Sequence, residues 1–347
     1  MSLIYMTYKR MTEDHRTKSN IKNPENLLTR RNFLSTSGAA IFATAFLSSC
    51  DAINDILPKK DEEPDKTLAF FGDSLTIGAG GTAPYGSTVA AALQSRPVLS
   101  DGIVGQVSSR IAVRQGGTPL TISIEGDKLN GIKPVKITKL SNLFLSTPTN
   151  SDEYSRTGSV SGVRCTIRRQ VSGGAEMYTI TPTTVSVIDV PADSPFILDD
   201  ASRLKTATQV LWYGRNDVGN EDAETEIIAA LNSSIAYITA PARYVVLGVL
   251  LAASEGKGTK NYEQVSAING ALSAKYGKFY VEMTPPTDLE MTAISYSPTA
   301  EDLLDLENLN FPRGMRADVA NDDIHLNDKG YQIIANRVID KLKVLKY

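Results

Sequence analysis

A chain of 347 residues with 41% hydrophobic and 22% charged residues can bury a full core and has the composition of a soluble globular protein. Its formal net charge of −3 conceals an asymmetry, because residues 1–50 carry a net +4 and the remainder a net −7. An acidic body without a basic stripe or interleaved aromatics excludes a nucleic-acid binder.

The basic N-terminal segment has its own pattern. Thr29-Arg30-Arg31-Asn32-Phe33-Leu34 resembles a twin-arginine export motif, with Ser35 where a lysine often follows. An apolar run from Gly38 to Leu47 comes next, too short to span a bilayer as a permanent helix. Leu47-Ser48-Ser49-Cys50 then resembles a lipobox. In this order the three features imply a signal peptide over 1–50, with Cys50 lipidated and the mature protein exported and anchored to a bacterial membrane. Only Cys50 and Cys165 exist, so a lipidated Cys50 leaves no disulfide. Cys165 lies in a strand-like run and reads as a buried apolar residue. Residues 51–66 are charged and punctuated by proline, and read as a solvated tether.

Folded structure is expected from Thr67-Leu68-Ala69-Phe70-Phe71, a continuous apolar run suited to a buried parallel strand. The pattern to Gly117 is strand, loop, helix, strand, helix. Residues 118–199 differ: short alternating runs such as Leu120–Ile124, Val135–Ile137, Met177–Ile180 and Val185–Ile188 are separated by turn residues. They predict an inserted antiparallel module, either a sandwich or a small barrel. From 200 to 347 the strand–helix pattern resumes. Strands are expected at Val210–Tyr213, Tyr244–Val249 and Phe279–Val281, and helices near Glu221–Ile238, Tyr262–Tyr276 and Asn327–Leu345. Such alternation predicts a parallel sheet covered on both faces.

His15 falls in the export segment, which leaves His325 as the single imidazole of the mature chain. It lies in Asn321-Asp322-Asp323-Ile324-His325-Leu326-Asn327, where an aspartate three residues earlier can accept a hydrogen bond from the ring. Alone, that pair is as well read as a surface Asp and His at a helix start. Ser74, in Phe71-Gly72-Asp73-Ser74-Leu75-Thr76, directly follows the first strand at the carboxyl edge of the sheet, where open α/β sheets bind ligands. A helix N-cap is the bland reading of that serine.

Gly72-Asp73-Ser74-Leu75 resembles the signature of the SGNH (GDSL-type) serine hydrolases, and is not a G-x-S-x-G elbow. Gly214-Arg215-Asn216-Asp217 resembles the family's G-x-N-D block, and Asp101–Ser109 its glycine block without the Asn-containing lead-in. The resemblance covers roughly 67–117 and 206–347. It implies a three-layer α/β/α sandwich with a five-stranded parallel, flavodoxin-like sheet. By the same resemblance Ser74 is the nucleophile, His325 its base and Asp322 the third member. The Ser74 and Gly105 N–H groups and the Asn216 side chain would form the oxyanion hole, with Gly102 a competitor for Gly105.

No cofactor or metal is implied; one histidine and one distant cysteine make no zinc set. Gly78–Ala83 resembles a dinucleotide turn but does not directly follow the strand and open a helix, as that fingerprint requires. The expected activity is hydrolysis of a carboxylic ester, with an acetylated carbohydrate as substrate. A lipase or lysophospholipase is the alternative enzyme. A glycan-binding or surface-assembly protein on an inactive hydrolase shell is the reading from another class.

Overall fold

The computed structural model describes residues 65–147 and 152–347. The export segment, Cys50 and all of the tether except Asp65 and Lys66 lie outside the described residues. Those two are already held to the body. Asp65 accepts from Thr67 N and Thr206 Oγ1 at 2.8 Å each, and the Lys66 carbonyl accepts from Arg96 Nε at 2.5 Å.

The chain opens with β1 (Leu68–Gly72), α1 (Tyr85–Ala92), β2 (Val98–Gly102) and α2 (Ser108–Gln115). An all-β stretch follows, comprising β3 (Thr121–Ile124), β4 (Lys128–Gly131), β5 (Val135–Leu140), β6 (Tyr154–Val160), β7 (Val163–Ser172), β8 (Ala175–Pro182), β9 (Ser186–Asp189) and β10 (Ser194–Leu198). After α3 (Asp199–Arg203) come β11 (Thr208–Trp212), α4 (Ala223–Tyr237), β12 (Tyr244–Leu247), α5 (Lys260–Tyr276) and β13 (Tyr280–Val281). Two short helices, α6 (Asp288–Ala293) and α7 (Ala300–Glu307), lead to β14 (Arg316–Asp318), β15 (Asp322–Leu326) and α8 (Asp328–Leu345).

The five-stranded sheet runs β13-β12-β11-β1-β2, all parallel. Its strands alternate between two cores, as a sheet covered on both faces requires. Leu68, Phe70, Val210, Trp212, Val245 and Leu247 pack with α1 and α8. Ala69, Phe71, Leu211 and Val246 pack with α2, α4 and α5. This is the three-layer α/β/α sandwich expected, in the doubly wound order whose winding switches between β1 and β11. Burying each large apolar side chain contributes roughly 1.5–3 kcal/mol, which is why these strands read as continuous apolar runs.

The insert is a closed six-stranded barrel, β10-β3-β5-β8-β7-β6, with β4 and β9 paired as a separate ribbon. Closure comes from β10 pairing back onto β6, Phe196 opposite Val160. Two tight hairpins set the register. Ser161-Gly162 and Gly173-Gly174 have positive φ at both positions, the geometry that matches strand twist. Cys165 is buried on the inner face of β7, and burial pushes its thiol up to about 11. The barrel core also takes in Ile103 and Val113 from the sandwich, so the two parts share apolar contact.

Candidate active site

Three neighbouring strand ends deliver the site. β1 lies between β2 and β11, with Gly72 opposite both Gly102 and Trp212. The loops that leave these three strands therefore emerge side by side at the carboxyl edge. Glycine at 72 is required by crowding, since a Cβ there would stand 2.6 Å from the Trp212 carbonyl and 2.0 Å from Thr76 Oγ1.

Ser74 lies in the turn after β1 and caps no helix; α1 begins only at Tyr85. Its Oγ is 2.8 Å from His325 Nε2, and His325 Nδ1 is 2.6 Å from Asp322 Oδ2. Ser74 is 4% exposed, and the side chains of His325 and Asp322 are 18% and 33% exposed, so the chain of three opens to solvent on the histidine–aspartate side. Asp322 Oδ1 also accepts from the N–H groups of Ile324 and His325, folding the carboxylate back beneath the ring. Burial raises the Asp322 pKa, but those N–H groups and the imidazole outweigh it and hold the carboxyl below its ordinary value.

Asp323, the neighbouring carboxylate, points elsewhere: its Oδ2 accepts from Ser254 Oγ at 2.5 Å and its carbonyl from Ala253 N at 2.7 Å. The segment is braced from within by Arg316, a buried guanidinium that donates to the carbonyls of Asp323, Ile324 and Leu251 and to Asn310 Oδ1. Burial lowers the Arg316 pKa to about 10.

The glycine-rich loop locks the two halves together. Gly80 has φ +89°, and a Cβ there would stand 2.9 Å from the His325 Cβ and 2.8 Å from the Leu326 carbonyl. Thr82 donates through N and Oγ1 to Asp328, and Tyr331 Oη donates to the Ala79 carbonyl at 2.7 Å. These contacts seat the loop on the start of α8. It is a clamp between the serine turn and the histidine strand.

Gly105 sits three residues beyond the end of β2 with φ +74°. Gly102 is used differently: it closes the strand against Asp73, whose carbonyl would lie 2.2 Å from an added Cβ. Among the described residues, the main-chain N–H groups of Ser74 and Gly105 donate no hydrogen bond to the protein. Two buried, unpaired donors at adjacent strand ends are the groups an oxyanion needs. Asn216 stands beside them with both amide hydrogens engaged, to Asp73 Oδ2 at 2.9 Å and to the Gln106 carbonyl at 3.0 Å.

Several polar residues that the sequence did not single out hold this region. Asp73 accepts from Leu75 N as well as Asn216; burial pushes its carboxyl up to about 6, partly offset by the Leu75 N–H and His325. Asp217 Oδ2 accepts from both N and Oγ of Ser108, tying the β11 loop to the first turn of α2. Its Oδ1 has no partner, and burial pushes this carboxyl to about 6 as well. Arg114 donates to the Gly72 and Asp101 carbonyls and pairs with the Asp101 carboxylate at 2.8 Å. Asp73 and Asp217 stand inside the two quoted motifs, which place them near the site but do not identify their partners.

No family model and no curated protein matches the chain. Solved structures do show likeness. One is a protein from Bacteroides fragilis NCTC 9343 assigned as an acylhydrolase, at 14% identity over 85% of this chain and 95% of that chain, with a TM-score of 0.41. Another is a protein of the G-D-S-L family from Desulfitobacterium hafniense DCB-2 assigned as lipolytic, at 9% identity over 80% and 99%, TM-score 0.41. A third is a catalytic mutant of an acetylxylan esterase from Geobacillus stearothermophilus, at 13% identity over 82% and 96%, TM-score 0.41.

The site's own geometry stands apart from these similarities. A hydroxyl, an imidazole and a carboxylate in hydrogen-bonded sequence can pass a proton from Ser74 to His325 while Asp322 holds the ring.

Proposed function

We propose that the chain is a serine hydrolase of carboxylic esters that forms an acyl-enzyme on Ser74. The observation that carries this reading is the unbroken Ser74–His325–Asp322 contact chain at 2.8 and 2.6 Å beside two unpaired main-chain N–H groups.

In the proposed reaction Ser74 Oγ attacks the ester carbonyl carbon as its proton moves to His325 Nε2. The carbonyl oxygen becomes an oxyanion facing the N–H groups of Ser74 and Gly105, with the Asn216 amide as third donor by sharing the hydrogen it gives Asp73 while its bond to Gln106 persists. Collapse breaks the bond to the alkoxy oxygen, which leaves as alcohol with the proton from Nε2. Water then attacks the acyl group, gives its proton to Nε2, and releases the acid as that proton returns to Ser74.

We further propose an exported, lipid-anchored protein acting on O-acetylated carbohydrate. Support comes from the export and lipobox pattern ending at Cys50, which would put the enzyme and its substrate outside the cytoplasm. Lipid missing from wild-type Cys50 by mass spectrometry would end the anchoring proposal.

The chain from residue 51 onward should hydrolyse a small activated acetate, and a serine-directed phosphonate should modify Ser74. Ser74→Ala should lower kcat/KM by at least ~10⁴-fold. Undiminished turnover in that variant would remove the reading. A panel of acetylated glycans, short acyl esters and lysolipids then separates substrate classes, and a preference for lysolipids would displace the carbohydrate assignment.

A further inference from the structure

Gln106 joins three parts of the molecule. Its buried side chain donates from Nε2 to the Phe144 carbonyl at 2.9 Å and the Ser146 carbonyl at 3.0 Å, both in the segment that follows β5 in the insert. Its Oε1 accepts from Arg114 Nε at 2.8 Å. Its own carbonyl accepts from Asn216 Nδ2 at 3.0 Å. The 144–146 segment is itself pinned, because Phe144 and Leu145 are fully buried in the barrel core. Ser146 Oγ also meets Glu176 Oε2 at 2.5 Å and Tyr178 Oη at 2.6 Å. A second link runs alongside: Arg156 of β6 contacts the Asp101 carboxylate at the end of β2.

Building on the hydrolase reading, we infer that Gln106 is a positioning residue through which the inserted barrel sets the oxyanion side of the site. The barrel segment 144–146 fixes Gln106, and Gln106 fixes the Asn216 amide and the peptide that follows Gly105. A buried amide with two N–H groups has one orientation that satisfies both, and leaving a buried donor unmet is costly. The side chain therefore stays where the two insert carbonyls put it. Oxyanion donors work by being in place before charge develops, so their scaffold acts on the transition state more than on the bound substrate. The barrel is in this sense part of the machinery and not a detachable appendage.

The test is Gln106→Glu in the mature chain, with a small activated acetate as substrate. The change keeps the side chain's shape and its bond to Arg114, but replaces the one nitrogen that donates both bonds with an oxygen that faces the Phe144 and Ser146 carbonyls. We expect kcat to fall ~10–100-fold with KM changed less than about twofold. The shape of the pH profile should be retained, because Ser74, His325 and Asp322 are untouched. Combined with Asn216→Ala, Gln106→Glu should add little to the loss from Asn216→Ala alone, since both act through one amide.

Ser146→Ala gives a second handle should Gln106→Glu not fold. It frees the segment from Glu176 and Tyr178 and should lower kcat about threefold, again without adding to Asn216→Ala. Wild-type kcat in the folded variants, losses that multiply with that of Asn216→Ala, or a change confined to KM would each overturn the inference. Those results leave the hydrolase reading standing if wild type turns over the acetate and is labelled at Ser74. An inactive, unlabelled wild type would take both down.

Discussion

The sandwich sheet has strands of two to five residues and the barrel strands of four to ten, yet only the sandwich carries the reacting groups. Direction explains the difference. In an all-parallel sheet every carboxyl end lies at one edge, so Ser74, Gly105 and Asn216, far apart in sequence, leave from three adjacent strands at the same place. Antiparallel strands send successive turns to opposite ends, so the barrel's hairpins at Ser161-Gly162 and Gly173-Gly174 cannot converge on one point. The barrel contributes from its side instead, through the 144–146 segment on Gln106 and Arg156 on Asp101. Excising 118–199 would also bare Ile103 and Val113, which share the barrel core. A truncated chain would therefore lose packing as well as the hold of the barrel on Gln106.

The largest expected effect lies in the sandwich and turns on two adjacent carboxylates. Asp322→Asn should lower kcat/KM by ~10⁴-fold while the fold persists, because the ring loses the carboxylate that orients it. Asp323→Asn, which touches Ser254 and not the imidazole, should cost less than about tenfold. The reverse order of damage would mean that the histidine strand takes another register in solution.

Away from the 144–146 segment, the barrel should respond in stability and not in turnover. Ile167 is fully buried inside it, and Ile167→Ala should cost about 2–5 kcal/mol in chemical denaturation. Its kcat on a small acetate, measured where the variant is folded, should stay within about twofold of wild type. A larger fall would mean that barrel packing reaches the reacting groups by more routes than Gln106.

The smallest effect concerns Asp217. Its folded pKa of about 6 lies above the ordinary 3.8, so between those values the folded state keeps a proton the unfolded chain has released. Stability contributed by that proton is full below about pH 3.8 and is lost as pH rises to about 6; the two-unit shift is worth roughly 3 kcal/mol. Asp73 adds a fall of the same sign over the same window. Asp217→Asn keeps an oxygen for Ser108 and removes the ionisation, so its stability should fall less from pH 4 to 6 than that of wild type. An unchanged slope in urea titrations at several pH values would contradict that.

Much of this protein was legible in one dimension. Leu68–Phe71, Val210–Trp212 and Tyr244–Leu247 are apolar on both faces, which by itself demands a sheet covered on both sides, and the structure has one. Period-two alternation marked 118–199 as antiparallel. His325, the single histidine outside the N-terminal segment, read with the motif at Gly72–Leu75, named the pair now found 2.8 Å apart. What only the tertiary structure decided depends on contacts across large sequence separation. Sandwich and barrel look alike in sequence because they differ only in whether β10 pairs back onto β6. Asp322 and Asp323 are chemically identical neighbours; the backbone of β15, held by Arg316 and Ser254, turns one toward the ring and the other away. Gln106 shows the same limit. Nothing local distinguishes it from a surface glutamine, because its partners, Phe144, Ser146, Arg114 and Asn216, are brought to it by the folding of two different parts of the chain.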